Sequence, residues 1–80
     1  MNALEFQLLH RQCGEALRRY CREANRICEL LGHCQPGAMT LKQRSEIQRQ
    51  RLKENDAHQR YQMLRTRLLD AATIGYESSS

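Results

Sequence analysis

The sequence predicts an all-α, two-helix antiparallel hairpin of coiled-coil type, and three observations carry that expectation. The single Pro and two of the four Gly fall in one short stretch, Gly32–Met39. Long segments without strand signals lie on both sides of it. Each of these segments begins with a helix-capping pattern. With 80 residues the chain makes one domain, residues 1–75, followed by a tail at 76–80 expected to be disordered.

Helix 1 is expected over about 3–31. Asn2 is its candidate N-cap and Glu5 stands three residues on, a capping-box variant with Asn in place of Ser or Thr. Gly32 suits the position after the helix, where φ turns positive. Gly14 inside the helix costs roughly 1 kcal/mol relative to Ala and marks a close helix contact. The loop, residues 32–39, contains Pro36-Gly37, a turn pair: Pro presets φ and Gly accepts positive φ. Helix 2 is expected over about 41–73, opened by Thr40 with Gln43 at the capping-box position and stopped by Gly75. Asn55-Asp56 in its middle are poor helix formers. At 1.5 Å per residue each helix measures roughly 45–50 Å.

At 100° per residue, Phe6, Leu9, Cys13, Leu17, Tyr20, Ala24, Ile27, Cys28 and Leu31 form an apolar stripe on helix 1. The best stripe of helix 2 is Ile47, Gln50, Glu54, Ala57, Tyr61, Leu64, Leu68 and Ala71, polar in its first half. In an antiparallel hairpin that polar half faces the apolar end of helix 1. Leu4, Leu8, Leu30, Leu52 and Met63 fall off both stripes. Apolar surface therefore stays in water, the mark of an interaction site. The candidate partner-binding residues are Tyr20, Ala24, Ile27 and Leu31, with Leu52 and Met63 on the back face. The occupant is either a larger helical protein or a second copy, two hairpins then making a four-helix bundle. A 40% hydrophobic chain of this size needs such help.

The chemistry-bearing residues point away from catalysis. Cys13, Cys21 and Cys28 are too far apart along a helix to pair with one another or to hold one metal. No CxxC spacing or four-ligand set is visible, so no cofactor and no metal are expected, and the cysteines read as small apolar residues kept reduced. No Ser or Cys has a His at nucleophile-pair spacing, and His58 reads as a helix-surface residue. These patterns indicate no enzyme. The N-terminal residues show neither the basic nor the apolar region of a secretory signal, and no run of 18 apolar residues would cross a membrane.

A basic stripe on helix 2 is the other feature. Lys42, Arg49, Lys53 and Arg60 share a face with Arg67, and the net charge is +4. These residues suit phosphate contacts, so a small dimeric nucleic-acid-binding or phage-type regulatory hairpin is the alternative function. Glu54, Asp56 and Asp70 break the field, no aromatic residues interleave for base stacking, and a solvated helix flank with pairs such as Glu15–Arg19 accounts for most of the charge.

In its opening Met1-x-x-Leu4-Glu5, its Gly/Pro loop and a second helix containing Gln48, Gln50, Gln59 and Gln62, the chain resembles a family. It looks like the small helical-hairpin co-chaperones of the bacterial type III secretion needle subunit, over Met1 to Ala72. That resemblance implies a bacterial cytoplasmic protein. It would join a tetratricopeptide-like chaperone and keep the needle subunit from polymerising. The expected function is thus a non-enzymatic adaptor or co-chaperone that binds a helical partner through an apolar hairpin face.

Overall fold

In the computed structural model, residues 2–79 are described, with side chains described through Thr73. The chain is two helices, α1 (Ala3–Gly32) and α2 (Leu41–Ser79), packed side by side as an antiparallel hairpin. The molecule is a rod of 60 × 18 × 15 Å with a radius of gyration of 18.0 Å. A globular chain of this length would have about 12 Å.

Both helix starts follow from their caps. The Asn2 side chain accepts from the Glu5 amide at 2.7 Å. The reciprocal arm runs between side chains, from Asn2 Nδ2 to Glu5 Oε1, because Asn carries an amide donor that Ser and Thr lack. At α2 the capping box is complete: the Gln43 amide donates to Thr40 Oγ1 at 3.1 Å and the Thr40 amide donates to Gln43 Oε1 at 3.0 Å. Thr40→Ala is expected to cost about 1 kcal/mol of unfolding free energy, read from urea denaturation, with Thr40→Ser close to neutral.

Two helix ends differ from expectation. Gly32 is the last residue of α1, and the C-cap is His33 at φ −90, ψ −6, in ordinary right-handed territory. The His33 and Cys34 amides close the end on Leu30 O and Leu31 O, and Cys34 Sγ donates to Leu30 O at 3.2 Å. A tightened last turn satisfies those carbonyls without a left-handed residue. The positive φ falls instead on Gly37, at 76. Gly37 follows Pro36, with the Ala38 amide donating to Gln35 O, which is a type II turn. At the other end α2 carries on past Gly75 to Ser79. A single Gly weakens a helix by about 1 kcal/mol and does not by itself end one. Of the tail, Ser80 lies outside the described residues.

The seam is a strict four-three heptad on both helices. On α1 the seam positions run Leu9, Cys13, Ala16, Tyr20, Glu23, Ile27 and Leu30, with Cys34 of the loop continuing the spacing; on α2 they run Gln43, Ile47, Gln50, Glu54, Ala57, Tyr61, Leu64, Leu68 and Ala71. A 3.5-residue repeat sustained over this length is the pattern of a left-handed coiled coil. The α2 stripe is the one read from the sequence. On α1 the seam is rotated: Ala16, Glu23 and Leu30 occupy it, while Leu17, Cys28 and Leu31 are exposed.

The dry part of the seam lies at the open end of the hairpin. Leu9, Cys13, Ala16 and Leu64 form one buried cluster, with Tyr61 and Leu68 packed against it. Ala57, 1% exposed, continues it to mid-rod. Towards the loop the buried residue is Gln50.

Candidate docking surface

Tyr20, Ala24 and Ile27 form the expected partner face at the loop-proximal half of helix 1, opposite the polar half of helix 2. All three are half-buried against α2. The Tyr20 ring sits 4.8 Å from the His58 ring and 6.5 Å from the nearly parallel Tyr61 ring. Beside it Gln50 Nε2 donates to the Glu23 carboxylate and to Glu23 O, at 3.2 Å for the latter. The polar half of α2 therefore does cover α1. A long amide reaches across and hydrogen-bonds, so its burial leaves no polar atom unmatched. Pairing of hydrogen-bond partners across the seam is invisible to a hydrophobicity count, which is why this contact and the inward position of His58 were missed.

Leu31, Leu52 and Met63 do lie in water. Leu52 and Met63 belong to a line along the back of α2 that begins at Leu41. The three residues are spaced by 11, which brings a helix back to within about 20° of the same direction after three turns. They are 81%, 69% and 45% exposed respectively. Gln48, Arg51 and Asn55 wall a shallow depression around Leu52. Leu31 belongs to a different face, on the flank of α1 with Leu17, Cys21 and Cys28.

The opposite flank is basic. Lys42, Arg49, Lys53 and Arg60 are all exposed on α2. From α1, Arg19 and Arg22 join Arg60 around an open groove floored by Ala16 and Ala57. Reading helix 2 alone could not show this, because the contribution of α1 depends on the hairpin register. Among the described residues two of the 13 Lys and Arg side chains make ion pairs, Arg19–Asp56 at 3.0 Å and Arg26–Glu29 at 3.3 Å. Both pairs are solvent-exposed and contribute little to stability. The groove keeps a positive field from Arg22 and Arg60, with Arg19 paired to Asp56 and Glu15 at its rim.

All four cysteines are free thiols: Cys13 buried, Cys21 and Cys28 exposed, Cys34 between. Among the described residues no three His, Cys, Asp or Glu side chains gather to hold a metal ion. Among them also, no helix is long and apolar enough to cross a membrane. The geometry defines an all-α helical hairpin with two separate apolar faces and one basic flank. No family model matches the chain, and neither a curated protein nor a solved structure matches it.

Proposed function

We propose that this protein is a non-enzymatic helical-hairpin adaptor that docks a helical partner protein on the back face of α2. The exposed line Leu41, Leu52 and Met63 carries this reading. Each large apolar side chain brought out of water contributes about 1.5–3 kcal/mol, and nothing in the hairpin requires three of them on its outside. Their straight alignment along a rod fits a helix laid alongside, read by regularly spaced anchors. The specific form suggested by the resemblance is a co-chaperone in a bacterial cytoplasm, seated against a tetratricopeptide-like chaperone and holding a needle subunit unpolymerised.

The test is site-specific photocross-linking in the native host, with the reactive residue placed at Leu52 or, as a control, at Arg44. A discrete protein adduct at Leu52 and none at Arg44 supports the reading. Adducts to nucleic acid alone, or none, overturn it.

A second reading rests on the basic flank, where Arg19 and Arg22 reinforce Arg60. A regulatory hairpin that binds nucleic acid would use it to contact phosphates. Binding through about four such contacts loses affinity with salt at a log–log slope of about −3 to −4, whereas an apolar interface has no such slope.

A further inference from the structure

We infer that a second copy of this chain docks on the exposed flank of α1, helix α1 against helix α1 in antiparallel orientation. This goes beyond the partner reading and leaves the back face of α2 free for that partner.

The amount of exposed surface is the first observation. The chain exposes 6585 Å², against about 5,000 Å² for a compact monomer of its mass. Part of that excess lies on the flank of α1, where Leu17, Cys21, Cys28 and Leu31 are exposed, and a standard interface takes about 800 Å² from each partner.

The second observation is that α1 alone carries a second heptad seam. Displaced by one residue from the buried one, it runs Gly14, Leu17, Cys21, Ala24, Cys28 and Leu31, with Gly14 and Ala24 half-buried at its edge and the other four exposed. Two adjacent apolar seams are what a helix presents when it has neighbours on two sides, as in a bundle. The same displacement on α2 gives Arg44, Gln48, Arg51, Asn55, His58, Gln62 and Arg65, which matches nothing apolar. The other apolar face of α2, the line Leu41, Leu52 and Met63, is the partner's in the reading above, so the α1 seam meets the same seam of a second copy.

The seam is also self-complementary. With the two-fold axis placed between residues 22 and 23, Gly14 faces Leu31, Leu17 faces Cys28 and Cys21 faces Ala24 of the other copy. Each pairing then repeats in reverse, as an isologous contact requires. The two outer pairings set a large residue against a small one, the condition for interdigitation at native packing density. Gly14 gains an explanation. A Cβ built there meets nothing within 4 Å in the hairpin, so α2 does not require a glycine; Leu31 of a second copy does.

Because that space is open in the single chain, Gly14 gives variants that separate docking from folding. Sedimentation equilibrium of the full chain at micromolar concentration is expected to give twice 9.4 kDa. Gly14→Arg should keep the helical signal and raise the dimer dissociation constant about a hundredfold, since it overfills two symmetric sites with charge. Gly14→Leu should do the same, and Leu31→Ala added to Gly14→Leu should restore the dimer by exchanging large for small. A monomer at every concentration tested, or a dimer indifferent to Gly14→Arg, overturns the inference. Either result leaves the α2 cross-link at Leu52 unaffected, so this inference and the partner reading fail separately.

Discussion

Leu64→Ala is expected to lower the free energy of unfolding by about 2–5 kcal/mol. Leu64 is 3% exposed and is the α2 member of the buried cluster with Leu9, Cys13 and Ala16. That cluster is small, and its α1 members Cys13 and Ala16 are too short to fill the space that Leu64 leaves. A domain of this length has about 4–12 kcal/mol in all, and the variant would lose a large fraction of it. Urea denaturation followed by far-ultraviolet circular dichroism reads the change. It should be done at low concentration, where association does not add to apparent stability. Leu69→Ala, at an exposed position five residues on, should stay within about 0.5 kcal/mol. Equal effects at the two positions would mean that the seam does not run through Leu64.

The double variant Leu52→Asp, Met63→Asp is expected to abolish partner docking while leaving the hairpin folded. Two anchors of about 1.5–3 kcal/mol each amount to a hundredfold or more in affinity. Both side chains are exposed on the outside of α2, so the thermal transition should not fall. Ile27→Asp forms the instructive contrast. The sequence places Ile27 opposite polar residues of helix 2 that cover it poorly, where that change would weaken association and leave the hairpin helical. In the folded chain Ile27 is half-buried on the seam, so a carboxylate there should lower the melting temperature as well. Affinity of the captured partner and the melting curve, measured on both variants, separate the two faces. A double variant that melts early, or that binds as tightly as the parent, would remove the α2 back face from the proposal.

Most of the architecture was legible in the residues because punctuation and periodicity are local. Thr40 and Gln43 begin α2 by hydrogen bonds within one turn, and Pro36-Gly37 makes its turn within four residues. The eight-residue stripe of α2 was also legible, since its direction is set by spacing alone. The α1 seam was harder. Leu17 and Leu31 are larger and more apolar than Ala16 and Glu23, so a search for hydrophobic residues turns the helix towards them. The packed hairpin buries the small Ala16 close to the likewise buried Ala57, and takes in Glu23 because Gln50 reaches it. Those preferences depend on which residue of the other helix stands opposite. Gly32 misled for a related reason: a helix end can be closed by a tightened turn as well as by a left-handed glycine, and the sequence does not choose between them.

The placement of the dry cluster at the end of the rod far from the turn also sets how the chain must fold. A hairpin whose best contacts adjoin its turn can zip up from there, each layer closing a slightly larger loop. Here the apolar residues next to the turn, Ile27, Leu30 and Ile47, are only half-buried, and the buried cluster joins Leu9, Cys13 and Ala16 to Leu64, 48 to 55 positions further along the chain. Chain entropy must be spent on that long closure before burial begins to return it, at a cost that rises only logarithmically with length. The turn then acts as a tether rather than a nucleus. Its substitutions should alter stability through unfolding more than through folding, and the search for the Leu9–Leu64 contact should set the rate.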